Sequence, residues 1–229
     1  MLAKDSAAGL AEVVGDLNPR LANFWAVVKD TEAFPALLRL IRTVPFSEEV
    51  WNRVGAHLDS PDPVTRAAAL LVRVRQSMGA RGDCFSPRST RLRRGMPEHE
   101  SAWLTAIDNL SAAHERLRRV VVLNQPALRV IKAHDGPGTL FYLDPPYLHS
   151  TRTTVGEYGE HEMTEADHRE LLKVLKSCKG MVALSGYRSD LYDRELAGWN
   201  RHEFELPNNA AGGKDKRRMT ECLWTNYRP

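Results

Sequence analysis

Cysteine is scarce in this chain. Cys84, Cys178 and Cys222 are scattered, odd in number and free of any C-x-x-C spacing. That excludes a disulfide framework and the common zinc ribbons, and it points to a reducing compartment. Long apolar runs are missing too, and no signal-peptide pattern opens the sequence, so a cytoplasmic address is expected. There is no internal repeat and no low-complexity tail. His161-Glu162 with His168 falls short of the H-E-x-x-H spacing that would turn both rings and the carboxylate onto one helical face, so these residues are read as surface groups and no metal is expected. Net charge is only +3, too small by itself to mark a nucleic-acid binder.

What is present starts with the four residues Asp144-Pro145-Pro146-Tyr147. They follow Thr139-Leu140-Phe141-Tyr142-Leu143, a short β-branched and aromatic run after Gly138 that reads as a buried interior strand. The Asp144 carboxylate then emerges at a carboxyl edge, where α/β sheets place their chemistry. Two prolines fix φ and remove two backbone donors, leaving carbonyls as rigid acceptors. An acid, a fixed carbonyl and an aromatic ring form a receptor for a flat ring bearing an amino group, and adenine is such a ring. Its exocyclic amine is a poor nucleophile because the lone pair is delocalised. Acceptors at Asp144 and the Pro145 carbonyl would grip both N–H bonds and localise that pair. Tyr147 would stack on a base swung out of a duplex. As a bare motif, the same residues also suit a proline turn closing a strand.

Charge is unevenly spread. Between Arg73 and Arg94 lie seven arginines (Arg73, Arg75, Arg81, Arg88, Arg91, Arg93, Arg94) against one acid, Asp83, so the rest of the chain is net negative. Set among Gly79, Gly82, Pro87, Gly95 and Pro97, these arginines are expected on a loop able to reach phosphates, although a solvated charge run fits equally well. A second basic loop, Gly212-Gly213-Lys214-Asp215-Lys216-Arg217-Arg218, precedes the last strand.

Periodicity and punctuation predict an opening strand at Glu12 to Gly15. Helices follow over Pro19 to Lys29, Glu32 to Arg42, Ser47 to Leu58 and Pro63 to Ser77, and one long helix over Glu98 to Arg118 with Trp103, Ile107, Leu110 and Leu117 on its core stripe. Strands resume at Val120 to Leu123, Leu140 to Leu143 and Met181 to Ser185, with antiparallel strands near Glu203 to Leu206 and Glu221 to Asn226. Leu148 to Glu160, polar and glycine-bearing, reads as a mobile loop. Thr164 reads as the cap of the next helix with Asp167 as its capping-box partner. Tyr187, ending a strand beside Ser185-Gly186, is read as a packed tyrosine or as a wall of the base site. A length of 229 residues allows one good core plus an inserted lobe.

From about Arg116 onward the chain closely resembles the Dam-like (D12 class) adenine-specific DNA methyltransferases. The resemblance rests on "TLFYLDPPY", "YGEHEMTEADHRELLKVL", "VALSGYRSDLYD" and "KRRMTECLWTNY", and extends more weakly to "VVGDLNPRLANFWAVVKD". It implies a Rossmann-like α/β methyltransferase sheet with an inserted, mainly helical target-recognition lobe. By that pattern residues 1–30 and 116–229 are the catalytic domain and 31–115 the lobe. It implies methyl transfer from S-adenosylmethionine to adenine N6 in double-stranded DNA. Asp144, Pro145, Pro146 and Tyr147 are then catalytic, with Asp144 also beside the cofactor. Asp16 would hold the cofactor ribose, although it also suits the cap of the next helix, two jobs that Asp16 and Asn18 could divide between them, and Asn124 would offer an amide to the cofactor adenine. Arg88, Arg91, Arg93, Arg94, Lys214, Lys216, Arg217 and Arg218 would contact DNA. Two departures stand out: the family's glycine-rich first cofactor motif is absent before Asp16, and Pro126 occupies the place of an acid near the cofactor adenine. The expectations are therefore an enzyme completed by an upstream segment or another polypeptide, or else a truncated DNA-binding remnant. A restriction endonuclease partner fits the family, and methylation of an amide or of RNA fits the motif less well.

Overall fold

The computed structural model describes residues 9–86, 89–152, 156, 158–207 and 218–228. The chain forms two compact units, residues 1–126 and 127–229, each with its own core.

In the first unit, strand β1 (Glu12–Gly15) pairs in parallel with β4 (Val120–Leu123), in a register running from Glu12 opposite Val120 to Gly15 opposite Leu123. Between them run α1 (Pro19–Lys29), α2 (Ala33–Arg42), α3 (Glu48–Val54), α4 (Pro63–Arg75), a two-residue hairpin of β2 (Leu92–Arg93) and β3 (Met96–Pro97), then α5 (Glu98–Asp108) and α6 (Leu110–Leu117). The helix starts follow from local chemistry. Asn18 and Asp62 accept from the first free amides of α1 and α4, and proline follows each, where its missing N–H costs nothing. Phe24, Val27 and Val28 on α1, with Phe34, Leu37 and Ile41 on α2, recur at helical spacing and bury against Ala67, Ala68, Leu71 and Val72 of α4. Burying a side chain such as Leu37 completely is worth about 1.5–3 kcal/mol.

Gln76 lies wholly inside this unit. Its amide donates to the Pro45 carbonyl (2.9 Å) and accepts from the Ser47 amide (3.1 Å), while its own carbonyl accepts from Ser86 (2.9 Å). Trp51 and Trp103 send their indole N–H groups to the Arg73 and Val44 carbonyls.

The expected single helix over Glu98 to Arg118 is broken at Asn109 into α5 and α6. The predicted stripe of Trp103, Ile107, Leu110 and Leu117 is nonetheless buried on both sides of the break, because Asn109 keeps near-helical angles (φ −78, ψ −9) and preserves the phase.

The second unit contains α7 (Ala127–His134), β5 (Leu140–Leu143), α8 (Glu165–Lys176), β6 (Met181–Tyr187), α9 (Asp190–Glu195), β7 (Asn200–Pro207) and β8 (Arg218–Thr225). Its sheet has the order β5-β6-β8-β7, parallel between β5 and β6 and antiparallel elsewhere. Val182, Leu184, Cys222 and Trp224 point to one face and pack with Leu171, Leu172 and Leu175 of α8 and with Leu191 and Tyr192 of α9. The predicted capping box starts α8, with Thr164 and Asp167 exchanging bonds.

The strand before the proline pair differs from expectation. Within its sheet β5 is the terminal strand, and only Phe141 and Leu143 pack against the core, while Leu140 and Tyr142 are exposed. Strand alternation explains this, since successive side chains leave on opposite faces. Asp135 ties the turn before β6 to the end of α7 by accepting from the amides of Lys179 and Gly180. A Cβ on Gly180 would stand 2.7 Å from the Thr139 carbonyl oxygen, so only glycine fits there.

Candidate active site

The Asp144 carboxylate emerges, exposed, immediately beyond β5. Strand register decides what it meets. Leu143 pairs with Leu184, so the next position brings Asp144 beside Ser185 on the face away from the helices. The Ser185 hydroxyl donates to Asp144 Oδ1 (2.8 Å) and lies 3.0 Å from the Leu143 carbonyl oxygen, a second acceptor for the same proton. One carboxylate oxygen is thereby fixed in direction by a buried hydroxyl.

Pro145 and Pro146 follow, half-buried, and contribute carbonyls and no amide. The Tyr147 ring sits edge-on to Tyr187, with centroids 4.7 Å apart and planes at 79°. Its hydroxyl donates to Glu221 Oε1 at 3.4 Å and has Ser185 and Asp144 as further neighbours. Glu221 arrives because Tyr187 on β6 pairs with it on β8. Burial first, then the negative charges of Asp144 and Glu221, push the phenol pKa far above its ordinary value, so Tyr147 keeps its proton. Tyr187 is half-exposed and stands as the wall of this group. Ser185 as a partner of Asp144, and Glu221 altogether, escape a reading of the sequence because their roles exist only once three strands are in register.

The mobile loop expected after the motif is not what the described residues form. Leu148 inserts into the core of the unit, and Glu162 gathers its neighbours. It accepts from the guanidinium of Arg152, from His149 Nε2 (2.9 Å) and from the amides of Gly156 (3.0 Å) and Tyr158 (3.2 Å). The Arg152 guanidinium holds the Glu162 carboxyl down at about 2. Thr153 to Val155 and Glu157 lie outside the described residues. The surface reading of Glu162 and His168 also fails. Glu162 closes this network, while His168 is fully buried and meets the Tyr192 hydroxyl through Nδ1 (2.9 Å), since it falls on the inner stripe of α8. Among the described residues no group of three or more potential metal ligands comes together.

In the first unit, Asp16 ends β1. Its amide donates to the Leu123 carbonyl and its Oδ1 accepts from the Asn18 amide (2.7 Å). Asn18 is the helix cap, accepting from Arg20 and Leu21. The second Asp16 oxygen has no partner among the described residues, which fits a hydroxyl donor. Asn124 spends both amide hydrogens on the carbonyls of Asp16 (2.9 Å) and Leu17 (3.0 Å). Only its side-chain oxygen remains, an acceptor suited to an amino group.

The arginine segment is built, not loose. Arg94 and Gly95 both have positive φ (58 and 76) and make the tight turn between β2 and β3, the backbone handedness favoured in two-residue hairpins. Arg91 and Arg93 flank that turn, exposed, and Arg94 donates to the Thr105 hydroxyl (3.0 Å). Leu92 and Pro97 line a cleft of about 590 Å³ with Phe46, Phe85 and His99. Arg73 and Arg75 belong to α4 rather than to the loop. The Arg73 guanidinium lies 3.4 Å over the Trp51 ring and donates to the carbonyls of Gly82 and Trp51, so it serves the fold. Arg88, Lys214, Lys216 and Arg217 lie outside the described residues, and Arg218 opens β8.

No curated protein matches the chain. The family described as D12 class N6 adenine-specific DNA methyltransferase matches residues 88–203, half of the chain and including the whole proline-pair segment, Ser185 and Tyr187. A strand-end acid, its buried hydroxyl partner and the following prolines thus stand inside the matched region, and the chain belongs to the D12 class N6 adenine-specific DNA methyltransferase family.

Proposed function

We propose that this chain transfers a methyl group from S-adenosylmethionine to the N6 amine of an adenine swung out of double-stranded DNA. The observation that carries this reading is the Asp144 carboxylate held by Ser185 at the end of β5 and followed by two donor-free prolines. Acceptors so placed grip the two N–H bonds of a planar amine and return its lone pair to the nitrogen. Tyr147 and Tyr187 supply aromatic surface for the extruded base. The cofactor, when bound, supplies a sulfonium methyl group. Asp16, with one oxygen unpartnered among the described residues, fits a ribose hydroxyl, the Asn124 side-chain oxygen fits an adenine amine, and Asp144 is assigned the role of acid at the reacting amine. Arg91, Arg93 and Arg94, on the hairpin of the proposed recognition lobe over residues 31–115, are the phosphate contacts, joined by Arg88, Lys214, Lys216, Arg217 and Arg218.

The test is direct. The chain is incubated with S-adenosylmethionine and unmethylated DNA, the DNA is digested, and nucleosides are read by mass spectrometry beside an Asp144→Ala control. N6-methyladenine that disappears in the control supports the reading. Methylation that persists in it refutes the role of Asp144, and DNA binding with no methylation in either protein supports a non-catalytic remnant instead.

A further inference from the structure

Methylation of an amine leaves a proton to be removed. The nitrogen lone pair forms the bond to the methyl carbon as the carbon–sulfur bond breaks, its electron pair leaving with sulfur. The nitrogen then carries a positive charge and two protons, of which one must go. Asp144 is the acceptor at hand, and a protonated Asp144 cannot serve the next turnover. We infer that the Tyr147 hydroxyl passes this proton from Asp144 to Glu221, which gives it to water. This inference rests on the proposed methyl transfer.

Three features carry the route. First, Tyr147 stands between two carboxylates, hydrogen-bonded to Glu221 Oε1 at 3.4 Å and neighbouring Asp144. The distance is long for an O–H···O bond, as catalytic hydrogen bonds in ligand-free active sites commonly are before substrate tightens them. Second, Ser185 holds the acid without taking the proton onward: its hydroxyl reaches Asp144 Oδ1 and the Leu143 carbonyl oxygen and also neighbours Tyr147, but it brings no carboxylate of its own, whereas Tyr147 leads to Glu221. Third, the phenol is kept neutral by burial and by both acids. It cannot store a charge, so it accepts a proton from Asp144 while releasing its own to Glu221. After that step Asp144 is a carboxylate, Tyr147 is unchanged and Glu221 is a carboxylic acid. The half-buried position of Glu221 on the open face of the sheet lets water collect the proton. The groups facing Glu221 are Asp144 and Tyr147 from the motif, Tyr187 from β6, and Phe204 and His202 from the same face of β7.

Glu221 acts through Tyr147, so it is a positioning and relay group. The experiment uses the full chain with Glu221→Gln, Glu221→Asp, Tyr147→Phe and the Glu221→Gln/Tyr147→Phe pair, each checked for its melting temperature. Expected is a loss of kcat on the order of tenfold or more in Glu221→Gln, with KM for DNA nearly unchanged. The acidic side of the kcat–pH profile should be displaced, most of the rate should return in Glu221→Asp, and the double variant should lose no more than Tyr147→Phe alone. In the protein without cofactor, the ¹³Cζ resonance of Tyr147 should move in Glu221→Gln. Wild-type kcat and pH profile in Glu221→Gln, or losses that multiply in the double variant, would overturn the relay. If instead Asp144→Ala methylates normally, the underlying reaction reading fails, whatever Glu221 does.

Discussion

Replacing Glu162 with glutamine removes the charge around which the segment after the proline pair closes. Burial of the pair and the lowered carboxyl pKa each set the magnitude. Arg152 is almost fully buried (7% exposed) and Glu162 nearly so (15%), and breaking a buried ion pair from one side costs about 3–5 kcal/mol, because the remaining charge has lost its partner. Independently, the carboxyl is held at about 2 against 4.5 for an ordinary glutamate, chiefly by the Arg152 hydrogen bonds. At about 1.36 kcal/mol per pH unit that gap is worth about 3 kcal/mol. The folded state has the lowered pKa, so this stability is fully present above pH 4.5 and is lost as pH falls through about 2. Nearly half is gone by about pH 3.5 on the same linkage relation. Urea unfolding of wild type and Glu162→Gln at about pH 7, 5 and 3.5 separates this group from the other acids, which titrate in both proteins. The variant should be about 3 kcal/mol weaker at about pH 7, with the difference shrinking toward low pH. A difference below about 1 kcal/mol at neutral pH, the range of an exposed pair, or equal pH slopes in the two proteins, would refute the reasoning.

Two further outcomes follow from the structure. Gly180→Ala places a methyl 2.7 Å from the Thr139 carbonyl oxygen and should cost about 1–3 kcal/mol as an overpacked site, read as a lower urea midpoint with an unchanged slope. Arg91→Ala with Arg93→Ala should weaken DNA binding across sequences and lower the slope of log affinity against log salt by about 2, since under the proposed function each arginine would neutralise one phosphate. An unchanged slope would remove these two residues from the DNA surface.

Much of the secondary structure is legible in the sequence wherever a local rule acts alone. Asn18-Pro19 and Asp62-Pro63 begin helices because cap and proline act within four residues. Thr164 and Asp167 begin α8 for the same reason. Val120 to Leu123 stands out by its β-branched run. What fails to show depends on partners far along the chain. Nothing near Glu162 announces that Arg152 and His149 will converge on it, and His168 reads as a surface residue until Tyr192 is folded beside it. The break at Asn109 leaves the apolar stripe in phase and so leaves no trace in periodicity. At the candidate site the motif itself is plain in the chain. Its two polar companions, Ser185 and Glu221, come from strands 41 and 74 positions away from the residues they touch, and only the register of the sheet brings them there.

Gln76 is a mooring post. By holding Pro45, Ser47 and Ser86 through one side-chain amide and one carbonyl, it fixes one end of the arginine-bearing segment, while α5 fixes the other through the Glu98 amide and the Arg91 carbonyl (3.0 Å). Among the described residues, the stretch between those moorings contributes no side chain to the core that α1, α2 and α4 bury. Such a mount separates surface from support: the exposed face can be exchanged like type in a frame while the frame stays locked.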